Sequence, residues 1–309
     1  MEQKSMTALV SAFARWYHAE QNRIKIFDDF LADKMLTDED KQQITLHMSN
    51  GIGFFHPTFN GTKEEALRWI VDNQLSPSPL GRAAWAEKAL HTAVNIGATQ
   101  YLIIAAGYDS FAYRQPEWAA KLQIFELDHP LMNEDKQERM QRVCDKKPSS
   151  LTYIPIDLTT EFLSDKLFSC NAYDKEKLSF CSLLGISYYL SKEDFKRLIQ
   201  SIADSVSNGS TIVFDYPDEY SYTEQAGERA KKQSIMTSGT TEAMLASYSY
   251  EEMNGLLSDC GFLIYEHLMP DEITKQYFDE YNAANPNHLM TAFDNVNYCL
   301  AVRNVVELW

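Results

Sequence analysis

Three short apolar runs each close on a carboxylate, and those carboxylates are the residues best suited to chemistry. The runs end Ala105-Ala106-Gly107-Tyr108-Asp109, Phe125-Glu126-Leu127-Asp128 and Pro155-Ile156-Asp157-Leu158. A glycine after a strand lets backbone approach a ligand closely. A carboxylate about twenty residues further on is where dinucleotide-type folds hold a ribose diol, because it accepts two hydrogen bonds from neighbouring hydroxyls. Asp128 stands there, with Glu126 as the alternative. Asp157 could accept from the exocyclic amine of an adenine while Leu158 packs on the ring. Taken singly, Gly107 reads as a turn and Asp157 as a helix cap. Three acidic strand ends in series, Asp109, Asp128 and Asp157, point instead to a nucleoside pocket.

The pattern also says which nucleoside. A diphosphate wants a Gly-x-Gly-x-x-Gly turn over a helix N-terminus. The corresponding stretch here is Ala105-x-Gly107-x-x-Ser110 with Asp109 inside it, and that carboxylate would repel a diphosphate. It suits a ligand with a positive centre and an ammonium group, which is S-adenosylmethionine rather than a nicotinamide dinucleotide. A nicotinamide-dependent oxidoreductase on the same fold remains the rival enzyme reading.

These side chains need a scaffold, and the hydrophobic pattern supplies one. Apolar runs at 101–106, 122–127, 151–156, 178–184 and 211–214 predict five strands, and runs at 262–265 and 298–302 predict two more. Helical spacing between them, over 131–143 and over 192–206 with Ser191 as N-cap, implies crossover units and a mainly parallel sheet. The expected fold is therefore α/β: a Rossmann-like, seven-stranded, mostly parallel sheet with helices on both faces and a hairpin-like final pair of strands at one edge. Residues 1–97 read as an N-terminal helical extension, with a loop over 50–62, a break at Ser76-Pro77-Ser78-Pro79 and a helix over 82–96 closed by Gly97. Residues 98–216 form the cofactor-binding core, 217–249 an inserted cap, and 250–309 a C-terminal helix and strands, all within one domain.

Composition narrows the partners. The chain has 309 residues and a formal net charge of −16. A surface this acidic repels phosphate backbones and anionic lipid, so neither nucleic acid nor membrane is an expected partner. No apolar stretch approaches the ~20 residues needed to span a bilayer, and the first ten residues make a poor secretory signal, so a cytoplasmic protein is expected. Five scattered cysteines (Cys144, Cys170, Cys181, Cys260, Cys299) include no CxxC pair. They read as free thiols, with no metal site. No residue pattern points to an oligomeric state.

At this point the stretch Ala105-Ala106-Gly107-Tyr108-Asp109-Ser110-Phe111-Ala112-Tyr113-Arg114 resembles the Gly-Ala-Gly-Leu-Asp-Thr-Arg-Ala-Tyr-Arg signature of the leucine carboxyl methyltransferase family, which includes the tetracenomycin-type polyketide O-methyltransferases. Phe125-Glu126-Leu127-Asp128-His129-Pro130 is similar to its Glu-Val-Asp-x-Pro segment, and Asp157-Leu158 to its Asp-Leu segment. Ile26-Phe27-Asp28-Asp29 with Ala32 is similar to its Asp-Pro-x-Ala opening. The resemblance implies an S-adenosylmethionine-dependent methyltransferase. It implies that Arg82 pairs with the methionine carboxylate and that Gly107 and Asp109 face the methionine and sulfonium end. It further implies that Asp128 holds the ribose and that Asp157 and Leu158 contact adenine. Ala105 and Phe111 depart from the family pattern, where Gly and Arg are usual. Leu184, in Leu184-Gly185-Ile186-Ser187-Tyr188-Tyr189-Leu190, stands where the family's Glu-Gly-x-x-x-Tyr-Leu has a glutamate. That departure keeps open a reading in which the chain binds cofactor without turnover and serves as an interaction module.

The expected acceptor is a small molecule bearing a carboxylate or a hydroxyl. Tyr188, Tyr189, Tyr216 and Tyr220 are candidate acceptor contacts, because aromatics beside a strand end can stack on a flat molecule; ordinary core packing is the alternative. No residue announces itself as a catalytic base. His129 directly follows Asp128 but reads as a polar loop residue, and His56, His91 and His267 have no better claim.

Overall fold

The computed structural model describes residues 5–144, 146–238, 244 and 246–304. Residues 239–243 and 245 of the expected cap, with 1–4 and 305–309 at the ends of the expected extension and C-terminal segment, lie outside the described residues. Seven strands form one sheet: β1 (Gln100–Ile104), β2 (Gln123–Asp128), β3 (Leu151–Pro155), β4 (Ser179–Leu183), β5 (Thr211–Pro217), β6 (Phe262–Leu268) and β7 (Val296–Arg303), in the order β3-β2-β1-β4-β5-β7-β6. The first five pair in parallel, and β7 runs antiparallel between β5 and β6. This is the Rossmann-like sheet expected, with the final pair at one edge and the last strand seated inside. β1 and β4 are buried at every position, as central parallel strands covered on both faces must be. Edge strand β6 instead alternates, leaving Tyr265 81% exposed.

The N-terminal layer contains α1 (Met6–Gln21), α2 (Asp38–Asn50), α3 (Ile52–Phe55), α4 (Lys63–Ile70) and α5 (Pro77–Ile96). Thr37 and Thr62 open α2 and α4 with reciprocal capping boxes to Asp40 and Glu65, satisfying helix-end donors that would otherwise be orphaned. α3 interrupts the loop expected over 50–62. The break expected at 76–79 is absent: a π-turn over Val71–Leu75 joins α4 to α5, and Pro77 starts α5. A proline in the first helical turn has no intrahelical N–H to lose, so it begins a helix here rather than ending one.

Crossover helices flank the sheet: α6 (Phe111–Arg114), α7 (Pro130–Gln141), α8 (Leu163–Phe168) and α9 (Lys192–Ser205). After β5 come α10 (Glu228–Thr237), α11 (Tyr250–Asp259), α12 (Pro270–Tyr277) and α13 (Asp279–Ala284). One face of the sheet buries Leu102, Phe125, Cys181 and Phe214 with α8, α9 and α11. The other buries Tyr101, Ile103, Ile124 and Phe180 with α5, α12 and α13. A third cluster, around Phe13, Met35, Ile70, Tyr108 and Met140, fastens the N-terminal helices over the C-terminal ends of the strands. No described helix is long and apolar enough to cross a membrane.

Candidate active site

β1 has β2 on one side and β4 on the other, so the chain reverses direction across the sheet there. Open parallel sheets bind ligands in the crevice beyond such a switch point. A cavity of about 250 Å³ occupies it. Ala105, Gly107, Asp109 and Asp128 line it from the ends of β1 and β2, Leu184 and Gly185 from the end of β4, Arg82 from α5, and Thr7, Ser11 and Arg15 from α1.

The floor is a tight turn. Ala105 and Gly107 both have left-handed backbones, φ +56° and +50°, a region that costs an L-residue but not glycine. The Gly107 amide donates to Asp128 Oδ2 at 2.6 Å, and the His129 amide donates to Asp128 Oδ1 at 2.7 Å. Each carboxylate oxygen keeps a lone pair for a ligand hydroxyl. Burial raises the Asp128 pKa, and the two amides oppose that rise. Asp109 accepts from the Phe111 amide at 2.7 Å, opening α6, and also faces the cavity.

Not every sequence candidate reaches this lining. Glu126 is fully buried behind the strand end, 2.5 Å from Lys136 Nζ, with burial lifting its pKa to about 7 against the pull of that ammonium. Asp157 turns back to accept from the Thr159 amide at 2.9 Å and from its hydroxyl at 2.6 Å. Leu158 packs against the core cluster under α8 and α9.

Arg15, Asp29 and Arg114 line the same cavity; Asp29 and Arg114 lie within stretches that carry the family resemblance but were given no binding role, and Arg15 lies outside them. Asp29 is 1% exposed and takes Arg15 Nε at 2.8 Å, Ser110 Oγ at 2.5 Å and Arg114 Nε at 3.5 Å. Arg15 also donates to the Tyr108 carbonyl at 2.7 Å. This knot ties the extension to the β1 turn. Its signal was the Asp-Asp pair at 28–29, whose second member becomes the anchor.

A smaller cavity of about 120 Å³ adjoins the first and shares Thr7, Ser11, Pro79, Arg82, Gly185 and Tyr189 with it. Its remaining wall includes Tyr188, Pro217 at the end of β5, residues of the segment after it (Ser221, Tyr222, Ala230, Gln233, Met244) and Phe293, Asp294 and Val296, with further residues from the N-terminal helices. Of the four tyrosine candidates, Tyr188 and Tyr189 line it. Tyr216 is fully buried elsewhere with its hydroxyl 2.8 Å from His267 Nε2, and Tyr220 is surface-exposed. Tyr222, from the segment after β5, lines the cavity as well.

The leucine carboxyl methyltransferase family model matches residues 8–203. The chain belongs to the leucine carboxyl methyltransferase family. It is 37% identical over 306 residues to "Putative S-adenosyl-L-methionine-dependent methyltransferase YktD" of Bacillus subtilis (strain 168), covering 97% of this chain and 98% of that protein. A Mycobacterium avium (strain 104) protein that is described in the same words, without the YktD designation, is 27% identical over 185 residues, 59% of this chain and 60% of its own. The fold is shared with a DUF574 family protein of Streptomyces avermitilis (TM-score 0.60, 12% identity, 95% and 97% of the two chains). The chain is accordingly an S-adenosylmethionine-dependent methyltransferase of the leucine carboxyl methyltransferase family.

The residues present fit that cofactor. Asp128 offers a carboxylate to a diol beside a glycine turn, and the β1 turn is acidic where a diphosphate would need it neutral. Arg82 donates one hydrogen bond, to Asp215 at 3.3 Å. The rest of its five N–H donors have no partner among the described residues, which suits a carboxylate.

Proposed function

We propose that the chain methylates an oxygen, of a carboxylate or a hydroxyl, on a small molecule held in the smaller cavity. When bound, the cofactor supplies an electrophilic methyl carbon on a sulfonium. In this reading Arg82 takes the cofactor carboxylate, Gly107 and Asp109 lie along its methionine end, and Asp128 accepts from the ribose. Ala105 and Leu184 provide close apolar walls, and Asp157 and Leu158, which lie outside that lining, are assigned to the adenine side on the family resemblance alone. The shared wall of Arg82, Gly185 and Tyr189 sets the two ligands side by side, the arrangement an in-line displacement needs. Ser221, Tyr222, Ala230, Gln233 and Met244 of the segment after β5 wall the acceptor cavity and shield it from water.

One observation carries the choice of acceptor: the described lining of the smaller cavity contains no histidine, lysine or cysteine. Tyr188 donates its hydroxyl to Asp215, and burial raises its pKa far beyond the physiological range, so it is no base. Asp294 is tied to Arg229 at 2.5 Å. An acceptor carboxylate is ionised at neutral pH and needs no base, whereas a phenol near pKa ~10 would benefit from one. The lining therefore favours the carboxylate. The nicotinamide and non-catalytic readings draw no support from the family relationship or from the turn chemistry.

The test incubates the protein with S-adenosylmethionine and a panel of small carboxylic acids and phenols, and measures S-adenosylhomocysteine formed. Turnover of a carboxylic acid at a rate flat from about pH 6 to 9 is expected. Transfer only to nitrogen or carbon acceptors would overturn the oxygen assignment.

A further inference from the structure

Asp215 lies on β5, fully buried, and gathers three donors at the partition between the two cavities. Its Oδ1 accepts the Gly185 amide at 2.6 Å, and its Oδ2 accepts the Tyr188 hydroxyl and Arg82 Nη1. Its own carbonyl accepts from Ser187 Oγ at 2.6 Å. One residue thus fixes most of the segment 185–188 and one end of the Arg82 guanidinium.

The fit around Arg82 is close. Gly185 sits at φ +73°, and a Cβ there would run into the guanidinium, so Arg82 passes directly across the turn after β4. Burial works against its charge, but Asp215, Tyr188 and Tyr298 together more than offset this and raise the Arg82 pKa. Leu184, the first residue after β4, faces the larger cavity with an apolar side chain. The carboxylate at this junction comes from the next strand instead.

We infer that Asp215 is a positioning residue: it anchors one edge of Arg82 so that the unpartnered edge meets the carboxylate of the methyl donor. The inference rests on the cofactor assignment above. A guanidinium tied to a buried carboxylate loses little further freedom when it binds an anion bidentately. The same carboxylate sets the turn carrying Gly185 and Tyr188, so the donor's amino-acid end and the acceptor's wall share one support.

The experiment compares two ligands. S-Adenosylhomocysteine carries the amino-acid end; 5′-methylthioadenosine has the same adenine, ribose and sulfur without it. By calorimetry, Asp215→Asn should weaken S-adenosylhomocysteine about tenfold or more and leave 5′-methylthioadenosine unchanged. Parallel loss of both ligands would reduce Asp215 to general support of the fold, and no loss of either would remove it from the site. Both outcomes overturn the inference. Arg82→Gln provides the second background: there, adding Asp215→Asn should cost S-adenosylhomocysteine nothing more, and an additive loss would show that Asp215 does not act through Arg82. Wild-type protein that binds neither ligand would instead overturn the cofactor assignment.

Discussion

Asp128 holds the β1 turn from below: its Oδ2 accepts the amide of Gly107 at 2.6 Å, although the two residues lie on different strand ends. The carboxylate that is assigned to the ribose is thus also a strut of the glycine turn. Asp128→Ala should weaken S-adenosylhomocysteine binding by about 1–3 kcal/mol, the loss expected for hydrogen bonds to a charged group. Asp109→Ala should cost a similar amount. Calorimetry on both variants checks this, and unchanged affinity in both would mean that the ligand lies elsewhere.

Ala105 stands at φ +56° where the family pattern has glycine. Ala105→Gly should relieve left-handed strain worth about 1–2 kcal/mol, partly offset by the greater freedom of glycine in the unfolded chain. The net expectation is a small gain, about 0.5–1 kcal/mol, read as a higher urea midpoint with an unchanged slope. A clear loss of stability would show that the methyl group packs productively.

Tyr222 reaches the smaller cavity from the cap, and no atom of the larger cavity's lining belongs to it. Tyr222→Ala should raise the acceptor KM while the S-adenosylhomocysteine affinity stays within about twofold of wild type. Shortening 221–245 should impair methyl transfer in the same selective way. If cofactor binding alone is lost, the cap serves the other cavity.

His18 is buried on α1, and its Nε2 accepts the Ile26 amide at 3.0 Å. Burial, with the nearby Arg68 and Lys25 charges, lowers its pKa from 6.5 to about 3. Protonation would set two N–H donors against each other. The folded state therefore binds this proton more weakly than the unfolded chain. Its contribution is fully present above pH 6.5 and is lost as pH falls toward 3. His18→Gln keeps an acceptor that does not titrate. Between pH 6 and 4 its stability should fall less steeply than wild type, by up to about 1.4 kcal/mol per pH unit. Identical slopes in denaturant titrations would refute the assignment.

The sheet was legible because its central strands are buried on both faces and so are almost uninterrupted apolar runs. Strand ends were less so. β5 runs on through Asp215-Tyr216-Pro217 and β6 through Glu266-His267-Leu268, where polar side chains serve cavity partitions and ladder contacts instead of the core. That is why Asp215 went unread: the apolar run predicts a strand that stops at Phe214, one residue short of a fourth acid in the C-terminal part of a strand. The proline pair at 77 and 79 misled for a local reason, since only the preceding turn decides whether a proline starts or stops a helix. Gly107, Asp109 and Asp128 meet in one cavity as their spacing suggested, and Arg82, implied only by the family resemblance, lines the same cavity. The lining from α1, and Phe293 with Val296, had no local signal, because packing between segments far apart in sequence brings them there.

β7 enters the sheet between β5 and β6, yet it is the last of the seven strands in the chain. The five parallel strands and the donor crevice are complete by residue 217, while Phe293 and Val296 of the acceptor wall arrive with the approach to β7. During synthesis, the whole lining of the larger cavity emerges before Phe293, Asp294 and Val296, which complete the smaller one. A chain ending before residue 290 would lack these three residues and so leave the smaller cavity without that part of its wall.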